Sequence, residues 1–298
     1  PVPAAAPPLR IVAPEPGRLL SESYPEPSLP AEPVRYRVFG EINRDRATAG
    51  LPAVAWDEAA SRVADAFCAA QVAERTRGHY LRDGVPPYAR AGLAGVFGYQ
   101  AENSASWTTT AATFSDTPLE LALSAHRSMM EERPPDDGHR RTILDPEATH
   151  VGVGWAMTGG RFRMAQEFLA RGLERLTLKS DENAAVLRVS GAARSPLRLQ
   201  FVTLAHEPLP VPLTREEANA RTTYRYPAPG ESLVPEGHTQ LRVLGTVTQN
   251  RIRLGRDRDF SFFFAPGRAG LWTIVFFVSK IGEDRPAPGG SAVIRVEG

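Results

Sequence analysis

The chain has 298 residues, with 35 basic and 34 acidic side chains, a formal net charge of +1 and 42% hydrophobic residues. This balance excludes a general attraction to nucleic acid or to an anionic membrane, and the length permits two ordinary domains with sizeable cores. No apolar run reaches the roughly 18 residues that a transmembrane helix needs. The only cysteine, Cys68, excludes an intrachain disulfide, and its apolar surroundings predict a small buried side chain.

The first 33 residues are rich in proline, which accounts for ten of them. Proline fixes φ and removes a hydrogen-bond donor, so neither a helix nor a sheet is expected to propagate here. Residues 1–33 are therefore predicted to be an extended tether of polyproline II character.

Residues 34–172 mix helices and strands. The pattern predicts, in chain order, a helix from Val34 ending near Gly50, a helix from Asp57 to about Arg75, turn-rich stretches over 82–98 and 104–118, a helix over Leu119–Met130, a strand over Val151–Ala156 and its hairpin partner over Arg161–Leu169. Because the elements lack a βαβ rhythm, they favour the α+β class over a doubly wound sheet.

Residues 183–298 have the texture of an all-β region. Short strand-like runs separated by Pro and Gly turns are predicted at Val186–Val189, Leu197–Leu204, Thr222–Tyr226, Gln240–Leu244, Phe260–Phe264, Leu271–Val278 and Ala292–Val296. About seven short strands with turns between them are typical of an Ig-like β-sandwich, which is predicted to form a separate C-terminal domain.

An ordered series of short motifs runs through residues 42–154. The segments are Ile42-Asn43-Arg44-Asp45-Arg46, Ala49-Gly50-Leu51-Pro52, Trp56-Asp57, Gly78-His79-Tyr80, Ala101-Glu102-Asn103, Gly138-His139-Arg140-Arg141-Thr142-Ile143-Leu144 and Val151-Gly152-Val153-Gly154. In content and order the series resembles the CAP superfamily of secreted proteins, also called SCP or PR-1-like. The resemblance covers less than half of the chain and leaves out the tether and the C-terminal half.

The resemblance implies an α-β-α sandwich with a central cleft lined by two histidines and two acidic residues. Carried over by position, these are His79, Glu102 and His139, with Glu132 as the second acid. The family often has that acid in a Trp-Tyr-x-Glu helix, whereas this chain reads Ser-Met-Met-Glu-Glu, so Glu131 is the alternate acid.

The chemistry of such a cleft is intelligible from the residue types. His79 and His139 are candidate ligands for Zn²⁺ or another divalent cation, and adjacent carboxylates would orient each imidazole. The alternative is a hydrogen-bonding role without a metal. His126 lies outside the matched positions and is predicted to be on a helix surface.

Two functions of different classes follow from the resemblance. The first is an exported bacterial protein, secreted or held in the cell envelope, that binds a small hydrophobic ligand, an envelope component or a protein partner. The alternative is a metal-assisted hydrolase or peptidase that uses the same cleft. The sequence favours binding, because it shows no nucleophile with a paired base and no elbow motif. A third possibility is a vestigial cleft beside an adhesive β-sandwich.

Overall fold

A computed structural model of the chain describes residues 9–13, 32–181, 184–235, 246–256, 258–283 and 285–298. The helices in these residues are α1 (Pro33–Thr48), α2 (Glu58–Glu74), α3 (Pro87–Leu93), α4 (Pro118–Glu131), α5 (Gly138–Ile143) and α6 (Arg215–Ala220). The strands are β1 (Arg10–Ala13), β2 (Ala55–Trp56), β3 (Tyr99–Thr108), β4 (His150–Thr158), β5 (Arg161–Ala170), β6 (Leu173–Asp181), β7 (Ala184–Ala193), β8 (Leu197–Glu207), β9 (Glu231–Pro235), β10 (Thr246–Leu254), β11 (Asp259–Phe264), β12 (Gly270–Lys280) and β13 (Ala287–Glu297). In the part of the chain so described, no helix is long and apolar enough to cross a membrane.

The first half of the chain is a three-layer structure around a four-stranded sheet of order β2-β4-β5-β3. Helix α2 packs on one face of this sheet, while α1 and α4 pack on the other. Side chains alternate along β4, so Val151 and Val153 join the core under α1 and α4, and Gly152 and Gly154 face α2. A Cβ at either glycine would lie 2.2 Å from a backbone nitrogen of α2. The Val-Gly-Val-Gly motif therefore sets the close approach of helix and strand.

A buried arginine ties α1 to the loop that precedes β4. Arg46 has no exposed surface. Its guanidinium donates to the backbone carbonyls of Pro52 at 2.9 Å, Ile143 at 2.8 Å, Asp145 at 2.9 Å and Ala148 at 3.2 Å. One side chain thus satisfies four buried or half-buried acceptors, which no short side chain could reach together.

The second half is built on a nine-stranded sheet of order β1-β13-β12-β8-β9-β10-β11-β7-β6. Buried side chains of β6 to β13 contribute to one hydrophobic cluster. Strand β1 also contacts β7, although six other strands lie between them in the strand order. The sheet therefore curls around its own core. Strand β6 also belongs to it, so the sheet takes in residues from Leu173 onward as well as β1.

Two stretches predicted to be rich in turns contain regular elements. Pro86 and Pro87 begin α3 as its N-cap and first residue, where a missing N–H costs nothing, so the prolines mark a helix start. The polar run after Tyr99 is strand β3, which pairs along its whole length with β5. Tertiary pairing here overrides the low strand propensity of Ser, Asn and Glu.

Three further expectations need correction or fall outside the described residues. Within the proline-rich segment, the proline-free run Arg10–Ala13 forms β1 and pairs with β13, so a strand does form there. Thr222–Tyr226 is not a strand; it contacts β3 through tyrosine side chains. The strand predicted at Gln240–Leu244 lies outside the described residues.

Candidate functional site

An open groove of about 840 Å³ runs over the end of the four-stranded sheet. His79 lies in the loop after α2, Glu102 on β3, Glu132 directly after α4 and His139 in α5, and all four line the groove. The imidazole rings of His79 and His139 have their centroids 6.4 Å apart. The fold therefore brings together four residues that span more than 60 positions of sequence.

His79 forms a buried pair with Glu102. Its Nδ1 lies 2.8 Å from Glu102 Oε1, while Arg90 Nη2 donates to the other carboxylate oxygen at 2.6 Å. Burial, with a smaller contribution from the Arg90 charge, lowers the pKa of His79 to about 4. The imidazole is therefore neutral at pH 7. Because a carboxylate only accepts hydrogen bonds, the ring proton sits on Nδ1 and Nε2 is an acceptor.

His139 forms a second pair, with Glu132. Its Nδ1 lies 2.5 Å from Glu132 Oε1, and its backbone N–H donates to Oε2 at 2.9 Å. The carboxylate therefore holds both the ring and the first turn of α5. Glu131, the alternate acid, is exposed at the end of α4 and does not line the groove. The side chain of His139 is 32% exposed, against 9% for His79.

A second buried carboxyl group lies behind Glu102. Glu167 on β5 is the cross-strand partner of Glu102, and the side-chain amide of Gln100 donates to it. Burial and the neighbouring Glu102 charge raise the pKa of Glu167 well above its usual range. We assign the proton to Glu167, which then donates to Glu102, since two adjacent buried carboxyls cannot both ionise beside a single arginine. Neither Glu167 nor Arg90 was singled out from the sequence: the β3–β5 register places Glu167 beside Glu102, and α3 brings Arg90 to the same carboxylate.

A chain of hydrogen bonds forms the back wall of the site. His126 Nε2 contacts Asp45 Oδ2 at 2.9 Å, and its Nδ1 contacts the Gln166 amide at 3.1 Å. The Asn103 amide in turn donates to Gln166 Oε1 at 3.3 Å and to the His139 carbonyl at 3.1 Å. The prediction that His126 lies on a helix surface is wrong, because these partners bury it to 2% exposure. Asn103 of the Glu-Asn motif thus links the backbone of His139 to this buried hydrogen-bond chain.

The wall of the groove beside His79 is formed by residues 222–226, which lie outside residues 34–172. Tyr224 packs edge-on against His79 with ring centroids 4.9 Å apart, and Tyr226 stacks between Tyr88 and Tyr99 at 4.5 and 4.3 Å. The strand predicted over Thr222–Tyr226 does not form, and the place of these tyrosines in the groove was not predicted. Their spacing of two residues was the available signal, since it puts both rings on one side of an extended chain.

Among the described residues, His79 and His139 do not belong to a group of three or more His, Cys, Asp or Glu side chains that could hold a metal ion. Two imidazoles on one tetrahedral zinc would have ring centres about 5 Å apart, given Zn–N bonds near 2 Å. The observed 6.4 Å is longer. Zinc binding would therefore require the rings to move and further ligands to join them.

Comparisons with known proteins agree with the motif series. Residues 39–168 match the model of the CAP family, described as the cysteine-rich secretory protein family. A search of curated protein sequences gives no match.

Three solved structures show weaker likeness. An extracellular protein containing an SCP domain from Bacillus anthracis strain Ames is 22% identical, with a TM-score of 0.35 over 48% of this chain and 45% of its own. An outer surface protein from Borrelia burgdorferi is 16% identical, with a TM-score of 0.36 over 47% of this chain and 96% of its own. Schistosoma mansoni venom allergen-like protein 4 is 12% identical, with a TM-score of 0.33 over 46% of this chain and 86% of its own.

The chain thus spans less than half the length of the first of these structures. Because the TM-scores are low, the assignment rests on the family match and on the motifs. Both cover the region that carries the paired histidines and the Val-Gly-Val-Gly strand. Residues 39–168 of this chain form a CAP domain of the cysteine-rich secretory protein family.

Proposed function

We propose that the protein is an extracytoplasmic binding module whose groove recognises a polar ligand through two imidazole nitrogens. The observation that carries the proposal is the pair of histidine–carboxylate contacts, His79 with Glu102 and His139 with Glu132. Each carboxylate engages Nδ1, which leaves Nε2 to meet a ligand. No described residue makes a hydrogen bond to either Nε2.

The protonation state of His79 defines what the ligand must supply. With a pKa of about 4, the ring is neutral over the whole physiological range and its Nε2 accepts a hydrogen bond. The ligand therefore carries donors such as hydroxyl or amide N–H groups. Glycans of the cell envelope carry both kinds of donor.

The shape and lining of the groove favour an envelope component over a small hydrophobic ligand. Apolar ligands usually occupy concave sites lined mainly by hydrophobic side chains that cover most of the ligand surface. This groove is open, and charged or amide side chains such as Gln100, Asp136, Arg141 and Arg225 contribute to its walls. A polar chain lying along the groove keeps most of these groups hydrogen-bonded.

Calorimetric titration with N-acetylglucosamine oligosaccharides, a defined mimic of envelope glycans, tests this function. We expect the wild type to bind and the His79→Ala, His139→Ala double variant to lose at least about tenfold in affinity, the effect of 1.4 kcal/mol. His206→Ala removes an imidazole on β8, outside the groove lining, and serves as the matched control. Absence of binding by the wild type, or equal binding by the double variant, would refute the proposal. A parallel titration with a medium-chain fatty acid tests the hydrophobic alternative.

The hydrolase alternative has one observation in its favour. A neutral imidazole whose Nδ1–H is held by a buried carboxylate is the arrangement of a general base, as in His79 with Glu102. No nucleophile contacts His79 among the described residues, and Ser104, two residues beyond Glu102 on β3, does not line the groove. Zn²⁺ titration of the wild type and the double variant separates the two functions. Tight zinc binding confined to the wild type would favour metal-assisted hydrolysis.

The proposal extends to location and domain organisation. The description of the family as secretory supports a place outside the cytoplasm, either secreted or in the envelope. We further propose that residues 34–172 and the sheet that follows are separate domains, the second a β-sandwich. The division is supported by a large hydrophobic cluster that comes from the second half except for Phe97, while a small cluster joins Tyr88 and Ala89 to Leu271 and Val293 across the boundary. Limited proteolysis that released a folded 34–172 fragment would bear it out, and an unfolded fragment would contradict it.

A further inference from the structure

Among the described residues of the C-terminal half, those that line the groove, 222–226, belong to one connection. Residues 208–230, here called the crossing segment, join β8 to β9, which are neighbours in the nine-stranded sheet. Both ends of the segment are therefore fixed to the same sheet. Between them the chain leaves that sheet, forms α6 and lies against the CAP domain.

The first part of the crossing segment holds the loop that carries His79. The backbone N–H of Leu213 donates to the Arg82 carbonyl at 2.7 Å, and the side chain of Asn219 accepts from the Arg77 N–H at 2.8 Å. Gly84, with φ of +74°, lies so close that a Cβ there would be 2.3 Å from the Val211 carbonyl oxygen. The crossing segment thus contacts the loop both before and after His79 in sequence.

The second part binds the edge of β3 through two tyrosine hydroxyls. The Glu102 N–H donates to Tyr224 Oη at 2.5 Å, and the Gln100 N–H donates to Tyr226 Oη at 2.9 Å. The Tyr226 hydroxyl also donates to the Gln100 carbonyl at 3.2 Å. Tyr224 and Tyr226, two residues apart, therefore pair with Glu102 and Gln100, which are two residues apart on β3. Their hydroxyls satisfy backbone groups that a neighbouring strand would otherwise bind.

We propose that Tyr224 is a specificity-determining residue of the groove, a fixed wall that restricts what reaches His79. This inference rests on the proposed binding function. The Tyr224 ring stands edge-on against the His79 imidazole, and the hydroxyl anchors it to the strand that carries Glu102. In the described part of the chain no tyrosine ring packs against His139, and its side chain is more than three times as exposed as that of His79.

The asymmetry defines how a ligand enters. A polar chain reaches His139 directly, whereas only a narrow donor, such as a single hydroxyl or amide N–H, passes Tyr224 to meet His79. The C-terminal half thereby takes part in ligand selection, although the family match covers residues 39–168 only.

Carbethoxylation by diethyl pyrocarbonate, followed residue by residue with mass spectrometry, tests the wall without a ligand. In the wild type His139 should react faster than His79. In Tyr224→Ala the rate at His79 should rise about threefold, the ratio of the two exposed fractions, while the rate at His139 stays unchanged. Tyr224→Phe keeps the ring but loses the hydroxyl that anchors it, so the rate at His79 should lie between those of the wild type and Tyr224→Ala.

Two outcomes would overturn the inference. One is an unchanged rate at His79 in Tyr224→Ala. The other is an equal rise at the buried His126, which would show general loosening of the fold and not removal of a wall. Because the reagent needs no bound ligand, a failed oligosaccharide titration leaves this test intact, and the two failures can be told apart.

Discussion

The buried, neutral state of His79 predicts a specific loss of stability in acid. The pKa of His79 is about 4 in the folded protein, against 6.5 for an ordinary histidine. Between these values the unfolded chain takes up a proton that the folded protein refuses. The contribution of His79 to folding is therefore complete above pH 6.5, falls as the pH is lowered, and is lost at about pH 4. At about 1.4 kcal/mol per pH unit of difference, the loss is about 3 kcal/mol.

Urea unfolding followed by tryptophan fluorescence at pH 7, 6, 5 and 4 measures this loss against His79→Gln. The glutamine amide keeps a donor for Glu102 and does not titrate, so the variant should lose about 3 kcal/mol less than the wild type over the same range. His139→Gln removes the other imidazole of the groove but retains His79, so the acid loss that His79 causes should persist in this variant. Equal losses in the wild type and His79→Gln would refute the reasoning, because the acid sensitivity would then come from other groups.

Two further predictions concern the packing that positions the groove. Gly154→Ala should lower the free energy of unfolding by at least about 2 kcal/mol, because the new methyl group meets the α2 backbone. Gly40→Ala on α1, where no atom lies within 4 Å of the new Cβ, should be neutral or slightly stabilising. Thermal unfolding compares the two variants, and a small effect of Gly154→Ala would show that α2 moves to make room. Arg46→Met should lower the free energy of unfolding by about 3 kcal/mol or more, because it leaves buried carbonyls without donors. Arg44→Met, at an exposed arginine, should lower it by less than about 0.5 kcal/mol. Similar urea midpoints for the two variants would contradict the bridging role of Arg46.

The elements that the sequence predicted well are those with strong local signals. Asp57 begins α2 as an N-cap that accepts from the Ala60 N–H at 2.6 Å, as its position before an apolar run indicated. The hairpin of β4 and β5 followed from the turn at Gly159 and the apolar strands beside it. Phe260–Phe264 lies in a strand, as predicted, and burial alternates along it. Cys68 is fully buried, as its neighbours suggested.

What the sequence left out depends on contacts between distant residues. The polar strand β3 is stabilised by pairing with β5 and by hydroxyls from the crossing segment, and no local propensity encodes either. His126 can be buried because residues distant in sequence satisfy both ring nitrogens: Asp45, 81 residues away, accepts from Nε2, and the Gln166 amide, 40 residues away, donates to Nδ1. The groove could be placed in outline because the family motifs mark its histidines. Tyr224 could not, since it lies beyond the region that the motifs cover.

The crossing segment has a consequence for how such proteins diversify. Its two ends are held by adjacent strands of one sheet, while its middle contributes to neither of the two large hydrophobic clusters. The exposed residues Thr222, Thr223 and Arg225, which line the groove, can therefore change without disturbing either large cluster, as in the variable loops that rigid immunoglobulin scaffolds display. Tyr224 and Tyr226 are held in place by their hydrogen bonds to β3. The surface beside the histidine pair can thus be altered through one connection of the nine-stranded sheet, while the residues that hold the histidines stay as they are.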